Sequence, residues 1–201
     1  MKALFQFIVK PKGERYNNKK NIGDKSLLLN TSIESFRHIN KEAIVVAIPA
    51  AFKTDIKPGD TVLIHHNIFR RWYDIKGKEK NGSTYFKDDM YFVNIDQVYA
   101  YKKNNTWVTT NDRCFVKPII ETSTYSNEKE QKHIGILKYG NSSLNGFKIA
   151  PGDLVGFTPK SEWEFIIDGE RLYCMKSNDI AIKYELKGNE KEYNPSWAHS
   201  G

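Results

Sequence analysis

The sequence predicts an all-β chain built as two small β-barrels in tandem, and three observations carry that prediction. Short runs rich in Val, Ile, Phe and Tyr are punctuated by Gly, Pro, Asn and Asp, as strands and turns are. No segment sustains a helical period over several turns. One pattern also occurs twice in the same order: Phe7-Ile8-Val9-Lys10-Pro11 returns as Cys114-Phe115-Val116-Lys117-Pro118, Lys57-Pro58-Gly59-Asp60 as Ala150-Pro151-Gly152-Asp153, and Tyr91-Phe92-Val93 as Tyr173-Cys174-Met175.

In the first copy, strands are expected at residues 5–10, 42–48, 60–65, 85–86, 90–94 and 98–102. The second copy offers 114–117, 133–139, 153–157, 163–167, 172–176 and 180–184. Pro58-Gly59-Asp60 and Pro151-Gly152-Asp153 are turn sequences, in which proline fixes φ and glycine accepts a positive φ. Ile33, Phe36 and Ile39 stand at helical spacing in a segment long enough for a turn or two only. Five or six short strands around one core are expected to close, because closure removes edges that an open sheet of this size exposes.

The expected domains are residues 1–103, with a long polar loop at about 12–41, and residues 111–187, with a short loop. A polar linker at 103–110 joins them, and a flexible tail follows at 188–201, with Tyr193 and Trp197 able to dock. Trp107, Trp163 and Phe165 are read as packing residues. Each domain is small for an independent core, so oligomerisation is expected.

The 201 residues carry a net charge of +7, but lysines alternate with acidic residues along the loops, so the charge forms no obvious stripe. Both cysteines, Cys114 and Cys174, lie inside apolar runs and read as buried side chains rather than a disulfide framework. The first residues lack a signal-peptide core and no run of about 18 apolar residues occurs, so a soluble, cytoplasmic protein without membrane contact is expected.

Chemistry-bearing patterns are sparse. His65-His66 are adjacent strand residues, which point to opposite faces and chelate one ion poorly. Asp88-Asp89 sit in a hairpin turn. Neither a phosphate-binding glycine loop nor a serine-nucleophile motif is present. No catalysis, metal or cofactor is therefore expected. Arg70-Arg71-Trp72-Tyr73 has the basic and aromatic mixture of nucleic-acid platforms, which makes single-stranded nucleic acid an alternative partner.

The ordered set resembles the GroES-like co-chaperonins, as a divergent tandem member. The likeness rests on Phe7-Ile8-Val9-Lys10, on Pro58-Gly59-Asp60-Thr61-Val62-Leu63-Ile64, and on Tyr173-Cys174-Met175-Lys176-Ser177-Asn178-Asp179-Ile180-Ala181-Ile182. The resemblance implies an oligomeric ring that lids an ATP-driven, GroEL-like chaperonin and encloses a non-native client. It implies that the loop at 12–41 docks through an apolar tripeptide, here Leu27, Leu28 and Leu29, with Ile22 and Gly23 shaping the approach. Residues near Phe5 and Phe7 are then expected to pair with the neighbouring subunit around Val98 and Ala100.

Three adjacent leucines inside a polar loop call for burial somewhere. The alternative to docking is a short extra strand or a tuck under the barrel. Burying three leucines contributes about 5–9 kcal/mol, while ordering each loop residue costs about 1–2 kcal/mol. One loop thus binds weakly and a ring of loops binds well. The second copy has no such tripeptide at 119–132, and the segments at 49–57 and 140–150 are too short for the roof hairpin of many family members. The divergence and the Asn/Lys-rich composition suit a viral version acting in a host cytoplasm.

Overall fold

The computed structural model describes residues 2–16, 19–22, 25–28, 39–121 and 129–194, with side chains left out of account at 19–22 and 25–28. The chain is all-β. Its strands are β1 (Phe7–Pro11), β2 (Lys19–Ile22), β3 (Lys25–Leu28), β4 (Glu42–Ala47), β5 (Thr61–Ile64), β6 (Arg71–Tyr73), β7 (Glu79–Asn81), β8 (Tyr91–Val93), β9 (Val98–Lys103) and β10 (Thr106–Thr109). They continue with β11 (Arg113–Ile120), β12 (Glu130–Tyr139), a short helix α1 (Ser142–Gly146), β13 (Leu154–Phe157), β14 (Trp163–Ile167), β15 (Glu170–Lys176) and β16 (Ile180–Tyr184). The chain divides into two compact units, Met1–Thr106 and Trp107–Gly201.

The repeat read from the sequence is also a repeat of strand order. The first sheet runs β10-β9-β5-β4-β1-β8 and the second runs β14-β15-β11-β12-β13-β16, so five strands recur in one arrangement. Register agrees residue by residue. Val9 faces Val45 and Tyr91 as Val116 faces Leu137 and Tyr173, and a register shift falls at the same place, Ile8/Val9 and Phe115/Val116.

The turns repeat as well. Gly59 N donates to Val45 O at 2.8 Å and Gly152 N to Leu137 O at 2.8 Å. The Asp60 carboxylate accepts from Lys57 N, and the Asp153 carboxylate from Ala150 N, both at 2.8 Å. Gly59 and Gly152 have φ of +94° and +99°, which glycine adopts without the clash a Cβ brings.

The two cores superimpose by position. Phe7, Val9, Val45, Val62, Tyr91 and Val93 occupy the first; Cys114, Val116, Leu137, Val155, Tyr173 and Met175 occupy the second. Phe7 shrinks to Cys114 while Val45 and Val93 grow to Leu137 and Met175, a compensation of volume that keeps the interior filled. Burial pushes the Cys114 thiol up to about 12 and the Cys174 thiol further, so neither is a thiolate near neutral pH.

Four expectations need correction. Among the described residues no sheet closes into a barrel. On one flank of each sheet the chain returns locally instead: Phe92 N donates to Thr84 O at 2.8 Å beside β8, and β14 pairs along β15. These returns satisfy edges that closure would otherwise have removed. The linker expected at 103–110 holds strand β10 and the buried Trp107, whose Nε1 donates to Asp168 Oδ2 at 3.0 Å. Trp163, read as a packing residue, is half exposed, whereas Phe165 is buried.

The fourth concerns the tail expected to be flexible, which is held on the sheet as far as Asn194. Ile120 N donates to Lys191 O at 2.8 Å, Tyr193 N to Pro118 O at 2.9 Å, and Lys117 pairs with Glu192 at 2.7 Å. Of the segments read as too short for a roof hairpin, 49–57 holds an isolated bridge and bends and 140–150 holds α1, capped by the Asn141 side chain accepting from Leu144 N at 3.1 Å. A helical turn around Ile33 and Phe36 falls outside the described residues.

Gly135 is the tightest point of the second sheet: a Cβ there would stand 2.3 Å from Lys117 O and 2.5 Å from Val116 Cγ1. Gly135→Ala should therefore destabilise the second unit by about 1–3 kcal/mol in chemical denaturation, from strain alone.

Candidate functional site

The first unit differs from the second by two insertions, and both grow from one corner. The longer leaves β1 after Pro11 and returns at β4, with Lys12 and Glu42 standing 30 residues apart in sequence and joined at 2.6 Å. Asn40 closes this neck. It is buried at 5% exposure, and its amide donates to Lys12 O and Glu14 O at 2.9 Å while its carbonyl oxygen accepts from Glu42 N at 2.8 Å. An asparagine suits this position because one side chain supplies two donors and an acceptor to backbone groups that have no strand partner. Asn40 N also donates to Arg15 O, and Tyr16 bridges Ile39 in antiparallel fashion.

Beyond the neck the insertion forms a hairpin in which Lys19 faces Leu28, Lys20 faces Leu27, Asn21 faces Ser26 and Ile22 faces Lys25. Of the residues singled out for docking, Ile22, Leu27 and Leu28 thus lie on paired strands, so the extra strand weighed as an alternative is present. Gly23 and Leu29 lie outside the described residues.

The second insertion is the β6–β7 hairpin. Trp72 and Tyr73 are half exposed on it, and Ile75 is fully exposed at its tip. Its base is bolted to the neck: Arg15 donates through Nη1 to Asn81 Oδ1 at 2.8 Å and through Nη2 to Phe69 O at 3.0 Å. Arg71 N donates to the hydroxyl of the buried Tyr16 at 2.9 Å, and the Arg71 guanidinium stands 4.4 Å from the Tyr16 ring centroid. Arg71 also pairs with Glu79 at 3.0 Å. In the proposed nucleic-acid platform, therefore, Arg71 is already committed within the protein.

The neck also covers the core tyrosine Tyr91. Arg15 sits 5.0 Å from its ring centroid, and its hydroxyl donates to Asp89 at 2.8 Å. Burial, then the Asp89 bond, pushes this phenol well above its ordinary range. The matching Tyr173 of the second unit is treated alike from other chain positions: Arg171 lies 4.8 Å from its ring, and its hydroxyl donates to Glu130. Arg171 further pairs with Glu130 at 2.7 Å and Glu164 at 3.0 Å. Where the first unit sends out its long insertion, the second thus carries an ionic lattice and the docked tail.

The expected subunit-contact residues divide by burial. Phe7 is fully buried and β1 has β4 and β8 on its two sides, while Val98 and Ala100 are fully buried opposite Ile64 and Leu63. Phe5, at 73% exposure, is the one that faces solvent. Asp88 and Asp89 have φ of +48° and +58° and form the expected turn. His65 and His66 stack at 4.3 Å, with His65 Nδ1 accepting from Asn67 N at 3.1 Å. Among the described residues no three His, Cys, Asp or Glu side chains group as metal ligands, and no helix is long and apolar enough to cross a membrane.

Sequence reasoning missed Asn40, Arg15 and Tyr16. The signal available was a polar Asn set between Ile39 and the strand beginning at Glu42, which fits a capping role. No family model matches the chain, and no curated protein matches it.

Tyr16→Phe should cost about 1 kcal/mol, because the part-buried Arg71 amide loses its acceptor, and hydrogen exchange should show the Arg71 amide losing protection. Burial, then the charges of His65, Lys41 and Arg70, lowers His66 to about 4 from 6.5. The unfolded chain therefore takes up this proton first, and the contribution is present above pH 6.5 and falls as pH drops toward 4. The thermal midpoint should rise between pH 4 and 7, and His66→Gln should flatten that rise.

Proposed function

We propose that this chain is a tandem GroES-like co-chaperonin that acts as an oligomeric lid on an ATP-driven chaperonin ring, without catalysis of its own. The observation that carries the reading is the neck at Asn40. It pins both ends of the long insertion to the sheet; in this reading Leu27, Leu28 and Leu29 are the docking residues, and Ile22 and Gly23 shape the approach. A fixed base lowers the entropy lost when an apolar segment enters a groove, and several such bases on one ring make the later contacts intramolecular. The second unit lacks the insertion, so each chain would offer one docking segment and use its other unit to build the wall or dome. The repeated five-strand order also suits a family of small β domains duplicated within one chain.

The rival reading, single-stranded nucleic acid held by Arg70, Arg71, Trp72 and Tyr73, draws on the exposure of Trp72 and Tyr73. It is weakened by the pairing of Arg71 with Glu79.

The lid reading predicts that the chain co-migrates with a chaperonin ring in the presence of ATP and that Leu28→Asp loses co-migration at least about tenfold, since a buried carboxylate forfeits the leucine's burial. Equal binding by both proteins places the contact elsewhere. Absence of binding by the wild type, together with oligonucleotide binding that weakens steeply with salt, favours the rival.

A further inference from the structure

Strand β16 ends the second sheet, and among the described residues it pairs with β13 alone. Its counterpart in the first unit, β9, is largely buried and has β10 beyond it. By contrast Ile182 is 49% exposed, Tyr184 37% and Leu186, just past the strand, 53%. Ile182 and Tyr184 share one face, both lying over Gly156, where a Cβ would come within 2.9 Å of Tyr184 Cε2 and 3.5 Å of Ile182 Cβ. Lys183 points to the other face, where its ammonium donates to Asp153 at 2.6 Å and to Lys148 O at 2.7 Å. A long apolar edge with no strand beyond it is a template for pairing with another strand, and soluble proteins normally cover or blunt such edges.

The sequence of this edge indicates what covers it. Ile182-Lys183-Tyr184-Glu185-Leu186 is its own complement when two copies run antiparallel about Tyr184. Ile182 then stands opposite Leu186, Lys183 opposite Glu185, and Tyr184 opposite itself. One face of the joint carries an apolar and aromatic stripe from both copies; on the other, Glu185 of each copy stands opposite Lys183 of its partner, whose ammonium keeps its third donor for it beside Asp153 and Lys148 O. A shift by one residue would set Ile182 opposite Glu185 and break both the apolar match and the charge match.

We propose that β16 is a self-association edge, through which two copies of this chain join antiparallel across residues 182–186 into one continuous sheet. The contact is isologous, so each copy gives and receives the same residues. The partner is a second copy because opposite charges and apolar side chains fall into register with this segment's own reverse. The inference does not rest on the lid reading, and it is tested with no chaperonin present.

The test is sedimentation velocity on the full chain across a concentration series, comparing wild type with Glu185→Lys. Glu185 is exposed and outside the core, so the variant keeps the fold while turning two attractive cross-strand pairs into Lys–Lys pairs. The expected result is a wild-type particle of twice the mass of the variant's, with self-association of the variant weakened about tenfold or more. Cysteine variants report the register. Opposite residues of an antiparallel pair lie within disulfide reach, so mild oxidation should join Tyr184→Cys to itself. Ile182→Cys should remain unlinked alone and link only when mixed with Leu186→Cys. Unchanged mass for Glu185→Lys, or equal cross-linking of Tyr184→Cys and Ile182→Cys alone, would overturn the proposal.

Discussion

Both sheets depend on one clasp, the exchange between the turn ending in Asp60 or Asp153 and the middle of the preceding strand. The Val45 N–H donates to Asp60 O, and the Val45 carbonyl accepts from Gly59 N; Leu137 does the same with Asp153 and Gly152. The aspartate carboxylate then fastens the turn from inside by accepting from Lys57 N or Ala150 N. This fixes where β5 and β13 begin, and with a period of two that choice decides which side chains enter the core. In the second unit the carboxylate has a further duty, since Asp153 also holds Lys183 of β16. The turn's backbone bond, then this ammonium, draws its carboxyl below the ordinary range. The position of the last strand is thereby tied to the first decision the sheet makes.

What the two units do with the same five strands differs at the strand ends. In the first, backbone freed after Pro11 is gathered by Asn40, and the Arg15 and Tyr16 side chains lock two insertions to a common corner. In the second, the extended β11 is covered by the tail and by an ionic lattice around Arg171. The two units share one strand order; the first adds two insertions at its strand ends, while the second adds internal ion pairs.

The scaffold was legible because its core strands are regular. Phe7, Val9 and Tyr91 have counterparts at the predicted places, and the Pro-Gly-Asp turns announce themselves by residue type. Strands β6, β7 and β10 were not legible, because Arg71–Tyr73 and Glu79–Asn81 bury almost nothing and so carry no apolar alternation. Trp107 was read as packing, but its surroundings, Thr106 and Thr109 next to paired asparagines, masked a strand. The neck at Asn40 was invisible for another reason: its bonds run to carbonyls that are distant in sequence, and no local pattern reports a distant partner. Open edges, likewise, are a property of which strands end a sheet, not of any strand taken alone.

The docked tail sets an order of events as the chain is made. Lys117 and Glu192 are 75 residues apart, yet Pro118 and Ile120 complete their hydrogen bonds only with residues near Lys191 and Tyr193. The first sheet can assemble from residues already synthesised by the end of β10. The second must wait with β11 incompletely paired until residues 191–193 have emerged, and loop closure over that span is slow compared with a local hairpin. A finished first unit therefore precedes an unfinished second one during synthesis, and the second is closed only once residues 191–193 have emerged.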